Sequence, residues 1–204
     1  ILSGGDPLTL SDRRLDEILQ RLDEIDHVET IRIHTRVPIA EPARITPKFC
    51  EVLTRKTPIF VVIHCNHVSE IAGHVDVALR LLVEVGIPLL SQTVLLKGVN
   101  DDVGTLSALM LSLVRHRVKP YYLHHADLAP GTTHFRTSIA EGQELMRALR
   151  QLVPGPCVPS YVIDIPGGHG KVPIGPTFLS LDGSGALIIE DDEGHSHIYD
   201  ADGR

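Results

Sequence analysis

PIFVVIHCNHVSEIAGHVDVALRLLVEVGIPLLSQTVLL, Pro58 to Leu96, reads as strand, helix, strand. PIFVVIHCN (58–66) and IPLLSQTVLL (87–96) are apolar runs of strand length, and HVSEIAGHVDVALRLLVEVG (67–86) between them is long enough for a helix. That is one βαβ unit, and the same alternation extends in both directions. Upstream, ILSGGD (1–6) is an apolar strand ending in glycines. In SDRRLDEILQRLDEI (11–25) Ser11 can cap, and Leu15, Ile18, Leu19, Leu22 and Ile25 recur at helical spacing. VETIRIHTR (28–36) is a strand, and TPKFCEVLTRK (46–56) a helix with Thr46 as cap and Pro47 at its first position. Downstream, a helix at 103–117, a strand at 119–127, a helix at 138–153 and a strand at 159–165 follow. The implied fold class is α/β, a parallel sheet that is either open or rolled into a barrel. TFLSLDGSGALIIEDDEGHSHIYD (177–200) changes character, with Asp-Gly and Glu-Gly turns between short β-rich runs, and predicts a small antiparallel β tail.

With 204 residues, 43% of them hydrophobic, the chain can bury one sizeable core. A net charge of −7 argues against a nucleic-acid surface, which needs clustered Lys and Arg. No apolar run approaches the ~20 residues of a membrane span. Cys50, Cys65 and Cys157 are too few and too scattered for a disulfide framework or a metal knuckle, so a reducing, cytoplasmic setting is expected. The chain opens inside an apolar strand without an initiator Met, from which missing upstream sequence is expected.

Polar residues gather where the strands end: Gly4, Gly5 and Asp6; His34, Thr35 and Arg36; His64; Gln92; His124 with Asp127; and Asp164. In a parallel barrel that edge is where active sites are built. Loops are polar everywhere, but the recurrence over six strands favours an enzyme. After the last strand, DIPGGHGKVPIGP (164–176) sets one lysine, Lys171, among glycines and prolines. Glycine permits backbone angles closed to other residues and close approach of a ligand. A lysine in a low-polarity cleft can form a Schiff base with a carbonyl such as that of pyridoxal phosphate (PLP). The loop does not match a phosphate-binding GxxxxGK[ST] pattern, because Val172 follows the lysine. From spacing alone, Schiff-base lysine and structural turn stand equal.

The segments SGGDPL, RIHTR followed by PARITP, VVIHCNH, SQTVLLKGVND, PYYLHHADLAPGTTHFRT and VPSYVIDIPGGHGKVPIGP resemble, in order, the lysine 2,3-aminomutase family of radical S-adenosylmethionine (SAM) enzymes. The likeness runs from Ile1 to about Ser180. It implies a partial (β/α) barrel of the radical SAM type over residues 1–158, lacking its N-terminal part. Residues 159–204 would be a PLP-lysine segment and β meander. It implies PLP, SAM and a [4Fe–4S] cluster as cofactors, lysine as substrate, a reductant for the cluster and a homo-oligomer. The implied reaction moves the α-amino group of lysine to the β-carbon.

By the same resemblance Lys171 is the catalytic lysine that holds PLP. Ser3, Gly4, Gly5 and Asp6 form a SAM-contacting turn, and His64 and Gln92 line the SAM pocket. Asp127 and Asp164 meet the ε-ammonium of the substrate, a group too costly to desolvate unpaired. Without the family, Asp127 is an ordinary loop aspartate and Asp164 a turn cap. Three departures stand out. The cluster's CxxxCxxC run is absent and is expected upstream of SGGDPL, so the chain as given is expected to be inactive. His169 occupies a position where glycine is usual. No zinc is expected, since Asp102 stands where a cysteine can occur. The alternative function is a cluster-less PLP- or nucleotide-binding α/β module without catalysis.

Overall fold

Ser11 opens the first helix, α1 (Asp12–Asp23), by accepting a hydrogen bond from the Arg14 amide, and Leu15 and Leu19 on its apolar stripe are buried. This computed structural model describes residues 1–183, 185–191 and 193–199. β1 (Ile31–Thr35) is followed by the short helix α2 (Val37–Ala40) and by α3 (Pro47–Leu53), capped by Thr46 with Pro47 at its first position. β2 (Ile59–His64) leads to α4 (His74–Glu84), and β3 (Leu89–Val94) to α5 (Val103–Arg115), which Asp102 caps through the Thr105 amide. β4 (Val118–His124) precedes α6 (Ile139–Leu152), where Ser138 and Glu141 form a capping box. β5 (Ser160–Asp164), β6 (Lys171–Pro173), β7 (Leu179–Leu181), β8 (Leu187–Glu190) and β9 (Ser196–Tyr199) complete the order.

The main sheet has strand order β1-β2-β3-β4-β5-β6, with β1 to β5 parallel and β6 antiparallel to β5. Each strand lies beside its predecessor in sequence. With crossovers of the usual right hand, that order puts successive helices on one face, and the sheet curls into a half-barrel. The core fills the space between that outer face and the helices, with Ile31, Ile33, Val61, Ile63, Leu89 and Leu123 meeting Leu19, Phe49, Leu79, Leu106 and Leu149.

Two sequence expectations are corrected here. ILSGGD is not a strand: only Leu2 pairs, bridging in parallel to Ile33, before Gly4 (φ 88) and Gly5 (φ 54) turn the chain away. The segment 67–86 is not one helix. His67 caps a single 3-10 turn at Val68–Glu70, and α4 begins only after Gly73, whose φ of 57 breaks the run.

The tail forms a separate antiparallel sheet, β7-β8-β9. It meets the body through Arg147 of α6, which pairs with Glu190, donates to the Thr177 carbonyl at 2.9 Å and lies over the Phe178 ring. Ser184, Asp192 and 200–204, part of the expected 159–204 segment, lie outside the described residues. β5 and β6 are hydrogen-bonded into the main sheet, so a division at 158/159 falls inside it. Among the described residues no helix is long and apolar enough to cross a membrane.

Candidate active site

Side chains alternate along a strand, and residues paired across a ladder share a face. The buried positions of β1 and β3 (Ile31, Ile33, Thr35; Leu89, Ser91, Thr93) point to the helices, which turns His34 and Gln92 to the inner surface of the half-barrel. His64 is in register with Gln92 and shares that surface. β4 would be out of phase but for a bulge: Ser91 pairs with Pro120, whereas Gln92 pairs with Tyr122, so Tyr121 is extra. One inserted residue flips every later side chain. It puts Tyr122 and His124 on the inner surface and returns Leu123 to the core. Asp164 ends β5 on the same surface, and Lys171 on β6 stands directly opposite it.

Lys171 Nζ lies 2.5 Å from both oxygens of Asp164 and 5.5 Å from the centre of the Tyr122 ring. His124 Nδ1 is 3.1 Å from Asp164 Oδ2. The lysine is brought back to the site by a tight loop in which Gly167, Gly168 and Gly170 all have positive φ and the Ile165 amide bonds to the Gly170 carbonyl at 2.8 Å. His169 is exposed, and its ring lies 3.2 Å from where a Cβ on Gly167 would be, so a second side chain there would crowd it. Burial would raise the Asp164 carboxyl, but hydrogen bonds from Lys171 and His124 outweigh it and hold the group below the ordinary aspartate value. Burial, reinforced by the Lys171 charge, lowers His124.

His64, Gln92, Val94, His124, His125, Asp127 and Asp164 line a cleft of about 180 Å³. Asp127 reaches it from the exposed loop three residues beyond β4. Gln92 Oε1 is 3.1 Å from His34 Nδ1. Burial lowers His34 and His64, the latter aided by the charge of Arg36. The Nε2 atoms of His34 and His124 are buried with no hydrogen-bond partner among the described residues. His125 points the other way, its Nδ1 2.8 Å from the Tyr161 hydroxyl.

Ser3, Gly4 and Gly5 are exposed beside the end of β1. Asp6 is engaged within the fold, where its Oδ1 accepts from Thr35 Oγ1 at 2.7 Å and the Leu8 amide at 3.1 Å, and its Oδ2 from the Arg36 amide at 2.6 Å. Both oxygens are thus occupied in fixing the turn. Cys50, Cys65 and Cys157 are buried apart from one another, on α3, after β2 and before β5, and burial pushes the Cys65 thiol up to about 12. The structure therefore brings His64, Gln92, Asp127, Asp164 and Lys171 together, with the Ser3–Asp6 turn at the same end of the sheet. Sequence reasoning missed the β4 bulge, the Lys171–Asp164–His124 contacts and the His34–Gln92 bond. The only signal for the last two was the placement of His34 and His124 at strand ends.

A sequentially wound, parallel half-barrel with polar side chains collected at the C-terminal ends of its strands has the layout of a barrel enzyme. No family model matches the chain. Curated relatives do: an L-lysine 2,3-aminomutase of Acetoanaerobium sticklandii is 44% identical over 200 residues, covering 98% of this chain and 48% of that protein. One of Methanococcus maripaludis is 47% identical over 194 residues, covering 95% and 45%. A glutamate 2,3-aminomutase of Clostridioides difficile is 39% identical over 194 residues, covering 95% and 46%. Over almost its whole length the chain is homologous to curated L-lysine 2,3-aminomutases. It spans about half the length of the curated relatives it matches.

Proposed function

We propose that this chain is the part of a radical SAM, PLP-dependent 2,3-aminomutase that holds PLP through Lys171 and binds lysine as substrate. The observation that carries the reading is the pairing of Lys171 with Asp164 at the strand-end cleft. A surface lysine needs no glycine hairpin to return it to a carboxylate, whereas an amine that must bind a carbonyl and later release it does. Glycines at 167, 168 and 170 leave room for a ring and a phosphate against the backbone. The residues present thus suit PLP.

Asp164 and Asp127, both on the cleft wall, would bind the substrate's side-chain ammonium, and two carboxylates would repel the acidic side chain of glutamate. His64 and Gln92 on the same wall, with the exposed Ser3–Gly5 backbone, would hold SAM. Asp6 shapes that turn. When bound, PLP supplies an electron-accepting ring system through which an amino group can migrate between neighbouring carbons, and SAM with its cluster supplies the radical that starts the migration. The described cysteines do not suit a [4Fe–4S] cluster, whose thiolates would have to converge. The half-buried histidines of the inner surface would limit the access of water to the reacting carbons. A cytoplasmic enzyme with a reductant partner and a homo-oligomeric assembly completes the reading. Both β-lysine metabolism and modification of elongation factor P would draw on such a product.

Borohydride reduction of the PLP-loaded protein, followed by peptide mass mapping, is expected to place the pyridoxyl group on Lys171. The same modification on another lysine in a Lys171→Ala protein overturns the assignment. A reconstituted protein that converts glutamate in preference to lysine overturns the substrate.

A further inference from the structure

The contacts around Asp164 determine where the protons of His124 lie. An ionised carboxylate only accepts hydrogen bonds and a lysine ammonium only donates them. His124 Nδ1 lies 3.1 Å from Asp164 Oδ2 and 3.4 Å from Lys171 Nζ. A bare Nδ1 would face the carboxylate lone pair against lone pair, whereas Nδ1–H donates to it. The proton is therefore on Nδ1, and the Lys171 contact is proximity only. Nε2 is left as an acceptor, buried and unpartnered. Because the β4 bulge fixes which way His124 points, and its side chain is only 17% exposed, the imidazole is a rigid donor. Asp164 is less well enclosed, with its side chain 42% exposed at the end of an edge hairpin.

We infer that His124 is a positioning residue that fixes the Asp164 carboxylate, so that one carboxylate serves two ammonium groups in turn: Lys171 in the empty site, and the side-chain ammonium of the bound amino acid once Lys171 has moved to its carbonyl partner. The identity of the second ammonium rests on the proposed aminomutase function. The orientation of Asp164 by His124 does not. The groups facing Asp164 are Lys171 from β6, Tyr122 and His124 from β4, and Asp127 from the loop beyond β4. Of these, among the described residues, His124 is the uncharged donor within hydrogen-bond distance of the carboxylate.

The test uses two substitutions and the purified 204-residue chain. His124→Asn keeps an N–H donor near the position of Nδ1, and His124→Phe keeps a ring without a donor. Carbon-13 NMR of aspartate carboxyls, with Asp164 assigned through Asp164→Asn, is expected to show the Asp164 midpoint moving up by roughly half a pH unit in His124→Phe. It should return to near the wild-type value in His124→Asn. An unchanged midpoint in His124→Phe, or equal shifts in both variants, overturns the inference. The same samples loaded with PLP separate it from the functional reading. Failure of wild type to give a reducible adduct at Lys171 sinks the proposed function and leaves the titration result standing. With an active holoenzyme, His124→Phe should raise KM for lysine about tenfold with a smaller change in kcat, and His124→Asn should recover most of the loss.

Discussion

Asp164→Asn preserves shape and removes the charge that Lys171 meets at 2.5 Å. In the empty protein the loss should be small, below about 1 kcal/mol, because both side chains are partly exposed and the pair is screened. On the proposed binding of the substrate's ammonium by Asp164, the same substitution would leave a desolvated ammonium short of a partner, which costs ~2–5 kcal/mol in a closed site. At about 1.4 kcal/mol per factor of ten, kcat/KM for lysine should fall roughly thirtyfold to several-thousandfold. Asp127→Asn should fall less, since Asp127 is exposed. Normal turnover in both variants would make the carboxylates structural. The histidines give a second expectation at this scale. His34, His64, His124 and His125 are each lowered from 6.5, chiefly by burial. Below that value the unfolded chain binds protons that the folded chain refuses, so stability falls with pH from about 6.5 downward until the folded values are reached. Asp164, held below 3.8, adds a further loss as pH drops through its folded value. Scanning fluorimetry should show a flat thermal midpoint from about pH 8 to 7 and a decline from about 6.5 to 5. A constant midpoint over that range would contradict the burial of these rings. Asp164 and Lys171 stood out in the sequence by position and flanking glycines. His124 stood out only as a strand-end residue, and its contact with Asp164 was not legible because it depends on which way a bulged strand turns the ring.

At the scale of elements, α6 and β5 meet in a tight seam. A Cβ on Gly142 would lie 2.0 Å from the Tyr161 hydroxyl and 2.4 Å from its Cζ, and Tyr161 is buried. Alanine in a helix interior normally gains about 1 kcal/mol over glycine. Here the overlap costs ~1–3 kcal/mol and dominates, so Gly142→Ala should lower the melting temperature. Gly155→Ala, with open space around it, should change it little. A stabilised Gly142→Ala protein would show that β5 can retreat from α6. Helices were legible where a cap precedes the helical run, as at Ser11 and Thr46. They were misread where one glycine outweighs a long apolar run, as at Gly73. β6 was invisible, because three residues beside a glycine loop carry no periodicity and pair only through register with β5.

For the molecule as a whole, alternation of strands and helices pointed to a parallel α/β body, but not to whether it was open or curled. That question is decided by the order in which strands neighbour one another, a long-range property that periodicity does not encode. The strict sequence from β1 to β6 decides it for a half-barrel. The same order ranks local stability. β2 and β3 are paired on both sides and covered by helices, whereas β7 to β9 leave Leu179, Leu181 and Ile198 55%, 70% and 74% exposed. Hydrogen exchange followed by mass spectrometry should find the slowest amides in β2 and β3, and amides of the tail sheet exchanging at least ~100-fold faster. Comparable protection in both sheets would mean that the tail is covered by something more.

The strictly sequential strand order also governs how the chain comes together during synthesis. Each new strand docks on the one made just before it, so no pairing in the main sheet waits for a strand made much later, and assembly can follow the order of synthesis. The floor of the cleft is laid down first and its carboxylate arrives with β5. Lys171 follows on β6, across a hairpin of the kind that closes in ~1–10 μs. Lys171 thus finds its counter-ion already in place, seven residues back along the chain.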